Sequence, residues 1–564
     1  MTKRKKLIFF ARCKILYFVF LLLFKICYGQ QVALRILNED GRTVKKLKFE
    51  KKLKDDFLAK ILKNYENKGF FDAYFVYDSI GRKADFFCGK KYFFEKLYIL
   101  DSLPQVYFGS AIVEKISIRK YLSLSEKILE YAENNGYPFA ALNLKTVAFG
   151  ENSLTAELSC QKGSFIRFDS LQVSGDTKLK TSFLKKYLRL KPGEDFSEEK
   201  IRQAEKLLSE FAFVSAKPEI KISFKDDRAL GKVLLRGEKY NSFDGIVGLQ
   251  PNQYGANLSF TGQVNLELNN LFASAKTLSF LWNRLKPRSQ QLQFFYTHPQ
   301  FLGLPLDFSL HFEQLKEDTI FSNVRRGISF SHYRPQIGRF SFGAIWNDAN
   351  LLSSAKKFTA DAPLTEGKML LYLFSYQLRR TDNNVLPMRG YTFGAEMRAG
   401  NKSMLRSPFA DSTSLNLLPT KAAYFDFRAH LHIFSRISKR LVWAEKMNFA
   451  MLEGGNVAQN DFYRIGGLKT LRGFNEFAVF SKQYLLHTTE LRLMTERQSY
   501  FFIFTDNAVS KNFSGSEFFF GAGAGLSLKL NNGIFNFVYA LGNSREQKAS
   551  LQNSKVHFGF VSRF

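Results

Sequence analysis

Two hydrophobic periods divide this sequence. From about Asn241 onward, apolar and polar positions alternate with a period of two, the pattern of strands with one apolar and one polar face. In LSFTGQVNLELN, Leu258, Phe260, Gly262, Val264, Leu266 and Leu268 share one face, and Ser259, Thr261, Gln263, Asn265, Glu267 and Asn269 share the other. YFDFRAHLHIF repeats the arrangement, with Asp426, Arg428, His430 and His432 opposite Phe425, Phe427, Ala429, Leu431 and Ile433. Charges kept on the polar face of long strands suit a water-filled lumen better than the surface of a soluble sandwich. Turns at NNLFASAK, LKPRSQ, DNNVLPMRG and LKLNNG leave room for about sixteen strands. The fold expected for 241–564 is an antiparallel transmembrane β-barrel, preceded by α+β repeats.

Upstream the period becomes helical and the sequence repeats itself. ILKNYENKGFFDA (Ile61 to Ala73) aligns with ILEYAENNGYPFA (Ile128 to Ala140), each an amphipathic helix closed by Gly69 or Gly136 and followed by a strand. ADFFCGKKYF (Ala84 to Phe93) aligns in the same way with AELSCQKGSF (Ala156 to Phe165). A small β-α-β-β unit recurring at this spacing is a modular array. Cys88 and Cys160 then occupy equivalent places in successive modules, beyond disulfide reach, and are expected as free thiols. A third unit begins near Phe165: RFDSLQVSGD gives a strand and turn, SFLKKYLRL a helix, and SEEKIRQAEKLLSEFAFV a second helix with Ser197 as N-cap. PEIKISFKDD and GKVLLRGEKY supply its remaining strands.

The N-terminus reads as an export signal. Lys3, Arg4, Lys5 and Lys6 precede the apolar run ILYFVFLLLF, and Cys27 and Gly29 are small residues suited to cleavage before Gln30. The apolar run is too short to span a bilayer as a helix, although a retained anchor is the alternative. Lipidation at Cys27 would require small residues before it, and Lys25 and Ile26 fit that poorly.

Composition narrows the function classes. The 564 residues include 82 Lys+Arg against 51 Asp+Glu, a formal net charge of +31. The charges are scattered and accompany no nucleic-acid-binding pattern, so no nucleic-acid partner is expected. Aromatic residues reach 16%, with 61 Phe, while mean hydropathy is negative. That combination belongs to aromatic residues spread along alternating strands. No nucleophile elbow, zinc-protease helix or phosphate loop is present, and Gly521, Gly523 and Gly525 in FFFGAGAGLSLKL read as strand glycines at close packing. His430 and His432 have no third ligand in view and read as lumen histidines. The expectation is a protein with no catalytic residues, metal or cofactor.

Several segments resemble a known family. Val173, Gly175, Leu188, Pro192, Gly193, Glu194 and Phe213 carry the strand, V-x-G, helix and L-K-P-G-E pattern of a POTRA domain. IGGLKTLRGF resembles the loop motif of the BamA/TamA outer-membrane assembly superfamily, on Gly466, Gly467, Leu471, Arg472, Gly473 and Phe474. The resemblance implies a long loop folded into the lumen, with Arg472 meeting Glu490 of TTELRL and Asp506 of FFIFTDNA. Asn507 and Ala508 follow that acid where the family usually has glycine. NNLFASAKTLSF, with Ala273 at another usual glycine, YTHPQFLGLPL, and the D-x-x-x-x-P-x-R-G of Asp382 to Gly390 also agree. VHFGFVSRF, with Phe558, Phe560 and Phe564, resembles the C-terminal assembly signal of outer-membrane barrels.

The resulting division is a signal peptide at 1–29, POTRA-like modules at 30–90, 91–163 and 164–240, and the barrel at 241–564. The resemblance implies an outer-membrane assembly factor with periplasmic modules. Its expected partners are unfolded outer-membrane clients, a TamB-like accessory protein, and the lipid bilayer with its lipopolysaccharide. A pore similar to two-partner secretion transporters is the alternative, and a passive porin or surface receptor a third.

Overall fold

The computed structural model describes residues 31–38, 42–50, 54–77, 83–211, 213–214, 218–237, 240–251, 258–286, 288–353, 364–384, 386–405, 419–495, 499–530 and 533–563. The expected signal peptide, with Cys13 and Cys27, and the terminal Phe564 lie outside the described residues. The chain falls into two compact units. One comprises Met1–Asp169, Pro192–Glu199 and Phe224–Ala229, and the other Ser170–Lys191, Lys200–Ser223 and Leu230–Phe564.

The first unit contains two four-stranded sheets of identical topology. The strand order is Thr43–Glu50, Gln31–Leu37, Lys83–Phe87, Tyr74–Tyr77 in one, and Ile112–Ser117, Phe93–Ile99, Ser153–Gln161, Ala141–Phe149 in the other. In each, the first and last strands run parallel at the centre, and a helix, Lys54–Glu66 or Ile118–Asn134, links the second strand to the third. The repeating unit is therefore β-β-α-β-β rather than the expected β-α-β-β. The additional strands, TVKKLKFE and IVEKIS, lie at sheet edges, where lysines interrupt the alternation and Val44 and Ile112 stay exposed. Such edge strands carry little periodic signal.

The aligned repeats occupy equivalent positions. Ala84 and Ala156 are buried, as are Phe86 and Leu158 two residues later. Leu58, Phe57, Ile61, Leu62 and Tyr65 of the first helix pack onto Leu34, Ile36 and Phe86, the stripe expected of an amphipathic helix. The left-handed Gly136 (φ +87°) follows the second helix, and a Cβ there would meet Phe165 at 2.4 Å. Cys88 and Cys160 are free thiols, and burial pushes the pKa of both up. Asn134, ending the second helix, accepts from Ser197 Oγ and from the backbone N–H of Glu199, each at 2.8 Å. It thus satisfies an amide in the first turn of helix Glu198–Ser209. A third sheet has the order Ile220–Lys225, Arg228–Leu235, Arg167–Gly175.

The second unit is dominated by a closed barrel of sixteen strands, running from Ser242–Pro251 to Lys555–Arg563, with antiparallel neighbours throughout. A barrel leaves no open edge, the condition for strands in lipid. Among the described residues, no helix is long and apolar enough to cross a membrane. Alternation assigns one parity of each strand to the interior, and the other parity is exposed, as with Phe425, Met447, Ile503, Phe558 and Phe560. The outward face also carries polar residues that periodicity had not singled out. Glu445 accepts from Trp443 Nε1 (2.6 Å) and Thr489 Oγ1 (2.9 Å) and lies 2.6 Å from His487 Nε2. Pairing around the ring is uneven. Strands Glu366–Thr381 and Gly390–Leu405 are paired along their whole length, 381 facing 390 and 366 facing 405. Between the first and last strands, only Ser242 pairs with Arg563 and Phe243 with Ser562 among the described residues.

Candidate functional site

The segment 455–482 joins strands Leu441–Gly454 and Gln483–Met494. It does not stay outside the ring. Its side chains bond to Glu317, Asn323, Lys402, Asp426, Glu490 and Asp506, on strands distributed around the barrel. Only a loop inside the lumen reaches all of them. Within it, Tyr463–Ile465 pairs with Val479–Ser481 as a short hairpin that the sequence pattern did not reveal. This hairpin carries the loop inward, and the Gly466–Phe474 segment lies beyond it.

At the tip, Arg472 is nearly buried. Its backbone N–H and Nε donate to Asp506 Oδ2 at 3.0 and 2.8 Å, Nη2 to Asp506 Oδ1 at 2.7 Å, and Nη1 to Glu490 Oε1 at 2.9 Å. Asp506 is the principal partner, held by three bonds from this one residue and a fourth from Thr488 Oγ1 at 2.8 Å. Glu490 is shared, since Arg492 donates to its Oε2 at 2.9 and 2.5 Å and Lys446 to its Oε1 at 3.2 Å. The guanidinium plane lies 3.5 Å from the Phe504 ring centroid. A forked, planar cation meets both needs at once, bidentate pairing and stacking, which an ammonium cannot do.

The glycines of the motif are explained by contact. A Cβ at Gly473 would lie 2.7 Å from the backbone of Leu541 and Gly542, and one at Gly521 only 2.2 Å from the Arg472 carbonyl. The wall and the loop therefore approach backbone to backbone, and Gly521 and Gly542 form the shelf on which the tip rests. Gly523 and Gly525 make room for the rings of Phe504 and Phe502. Gly466 and Gly467 adopt left-handed φ of +124° and +93°. Leu471 and Phe474 are buried with Ile465, Leu486, Ala508 and Phe519. Ala508, at the position after Asp506 and Asn507, is thus part of the loop's apolar seat.

A second set of anchors holds the root of the loop and was not found from the sequence. Lys402 Nζ lies 2.5 Å from Asp461 Oδ2 and 3.0 Å from Thr365 Oγ1, and both charged side chains are 0% exposed. Asn460 bridges the Thr365 carbonyl (3.0 Å) and Asn323, whose amide donates to the Asn460 carbonyl at 2.6 Å. Between root and tip, the Tyr463 hydroxyl donates to Asp426, and Arg464 Nη1 meets Glu317 Oε2 at 2.7 Å. Lys402 is one more polar residue on an alternating strand, and no local pattern identifies its partner 59 positions away.

Of the other residues singled out by the sequence, His430 and His432 line the same lumen cavity as Arg472 and Glu490. His430 and His432 face the lumen with ring centroids 5.1 Å apart, His432 lying 3.4 Å from Asn448 Oδ1. No cluster of three metal-ligating side chains occurs among the described residues. Phe558 and Phe560 are on the outward face of the last strand, away from the loop. In the turn before Gly390, Asp382 Oδ1 accepts the N–H groups of Met388 and Arg389 at 2.9 and 3.1 Å.

Residues 252–564 match the Omp85 superfamily domain, and residues 166–230 match the POTRA family described as the surface antigen variable number repeat. Among solved structures, the chain is similar to CdiB from Acinetobacter baumannii, with 11% identity, 91% of this chain and 98% of that chain covered, and a TM-score of 0.53. CdiB from Escherichia coli matches at 13% identity, with 91% and 97% covered and a TM-score of 0.52. BamA from Haemophilus ducreyi lacking POTRA domains 1–3 matches at 15% identity, with 84% and 100% covered and a TM-score of 0.44. At these identities the CdiB likeness is one of fold. No curated protein matches the sequence.

Proposed function

The chain belongs to the Omp85 superfamily, and we propose that it is a non-enzymatic outer-membrane assembly factor that inserts client β-barrel or autotransporter-type proteins through its own seam. The observation that carries this reading is the pairing of the first and last strands at only two positions among the described residues, against at least eight between every other two neighbours in the ring. Each backbone group left unpaired in lipid costs on the order of several kcal/mol. A client strand that satisfies those groups has a driving force to enter there and nowhere else around the ring.

The modules at 30–90, 91–163 and 164–240 then act in the periplasm, receiving unfolded clients or a TamB-like partner at sheet edges by main-chain pairing. Three modules support a reading closer to TamA than to BamA. Arg472 braces the barrel from inside, held by Asp506 and Glu490, while the Gly466, Gly467, Gly473 and Leu471–Phe474 contacts fix its approach. Phe558 and Phe560, with Phe564, mark the last strand for its own assembly. A secretion pore similar to two-partner secretion transporters is the competing reading, and the third module weighs against it.

The test pairs cysteines across Ser242–Pro251 and Lys555–Arg563 in a background lacking Cys88 and Cys160, with client assembly measured in proteoliposomes. Loss of assembly on oxidation and its return on reduction is the expected result. Undiminished assembly by the locked protein would overturn the seam reading.

A further inference from the structure

One patch of the barrel's outward face breaks its apolar band. Glu445, His487, Thr489, Thr505 and Asn507 point outward on strands Leu441–Gly454, Gln483–Met494 and Tyr500–Asn512, while their chain neighbours Ala444, Thr488, Glu490 and Asp506 are buried inside. Cross-strand register makes the five contiguous: Glu445 is opposite Thr489, Thr489 opposite Thr505, and His487 opposite Asn507. Apolar residues enclose them. Along the strands the patch lies between Leu485 and Val509 at one end and Leu493, Phe501 and Ile503 at the other, all exposed. Across the strands it is bounded by Ile433, opposite Glu445, and by Ala522 and Phe520, opposite Thr505 and Asn507. It is an island in the surface that faces lipid, not an extension of the polar strand ends.

The carboxylate of the island is already engaged. Glu445 takes the Trp443 indole and the Thr489 hydroxyl and lies against the His487 imidazole. Asn507 is what remains open. Among the described residues its carboxamide has no hydrogen-bond partner, and neither has the Thr505 hydroxyl. A polar group left in that state against hydrocarbon is costly, and acyl chains offer it nothing. A carboxamide is donor and acceptor at once, so two of them join by a pair of hydrogen bonds with no charge required of either side. Copies of one chain in one membrane share orientation and depth. A two-fold axis along the membrane normal therefore brings Asn507 to Asn507 at the same level. The small side chains of Thr505 and Ala522 let two walls approach closely there, and the exposed Ile503 and Val509 extend the contact on either side.

We propose that this face joins two copies of the chain in the membrane, with the Asn507 carboxamides paired across the two-fold axis. Strands Gly515–Leu530, Gly533–Asn543 and Lys555–Arg563 separate Asn507 from the junction with Ser242–Pro251, so the contact does not use the seam, and the proposal stands independently of the seam reading.

The test uses the full chain lacking Cys88 and Cys160, in liposomes over a series of protein-to-lipid ratios, with Val509→Cys or Phe342→Cys introduced and oxidised. Phe342 is exposed on strand Gly338–Leu351, far around the ring. Val509→Cys is expected to give crosslinked dimers at ratios where Phe342→Cys gives none. Adding Asn507→Leu should weaken dimer formation about tenfold, the scale of a pair of hydrogen bonds in lipid, and Asn507→Gln, which keeps the carboxamide, should preserve part of it. A heat-modifiable gel shift reports folding of each variant. Asn507→Leu should also raise the urea midpoint of the detergent-solubilised monomer, because it removes an unpaired amide from an apolar surface. A fall in that midpoint would show that the amide serves its own barrel and would overturn the proposal. Equal crosslinking at the two sites, or crosslinking at Val509→Cys unchanged by Asn507→Leu, would overturn the role of the island. Monomers at every ratio, with Val509→Cys joined in cells only to other membrane proteins, would overturn the choice of a second copy.

Discussion

The tip and the root of the lumen loop are both fastened by buried ion pairs, yet they are built on different principles. At the tip, Arg472 uses the geometry of its fork: two carboxylates, an aromatic face and a glycine shelf converge on one residue. At the root, Lys402 is a point charge enclosed with Asp461 and Thr365, and neighbouring asparagines fix the backbone around it. At the tip only Glu490 is backed up, since Arg492 and Lys446 remain on it if Arg472 is lost, whereas Asp506 pairs with Arg472. The root has little backup. A loop held at one end by shape and at the other by enclosure remains in the lumen only while both hold.

Three experiments would break or sharpen this contrast. The largest effect is expected for Arg472→Ala, which removes both guanidinium bonds to the fully buried Asp506 and leaves it with no cation, only the backbone N–H and Thr488. Stranding a buried charge costs about 3–5 kcal/mol, so the urea midpoint of the detergent-solubilised barrel should fall sharply. Arg472→Lys should recover only part of that loss, because an ammonium cannot reproduce the fork. Full recovery by lysine would show that the tip depends on charge alone.

Next comes the root. Lys402→Met strands Asp461 and should cost a similar or slightly smaller amount, with the loop becoming cleavable by added protease. The double change Lys402→Met with Asp461→Leu should recover most of the stability, because an apolar pair of similar volume is often neutral or better than a buried ion pair. If the double variant were as unstable as the single one, enclosure would not be the principle at the root.

The smallest effect lies outside the loop and calibrates the other two. Ala273 sits in the turn before Lys276–Lys286 with φ of +56°, in the left-handed region that disfavours a side chain. Ala273→Gly relieves that strain at the cost of a more flexible unfolded chain, and should stabilise by about 1 kcal/mol or less. A larger gain would indicate strain beyond this one residue.

The sequence by itself determined the period of the strands, hence which residues face the lumen, and it exposed the repeats and the LRGF segment. These are local properties: alternation follows from the pleat, and a helix followed by glycine can be read within a dozen residues. Asp506 and Glu490 were legible only because the family resemblance supplied the pairing, and the structure gives Asp506 the larger share of the bonds. The tertiary structure alone decided the extra edge strand in each repeat, the hairpin inside the loop and the Lys402–Asp461 anchor. Each depends on residues far apart in sequence that share a place only once the ring has closed. A closed barrel fixes which strands face one another across the lumen, and no period along the chain encodes that distance.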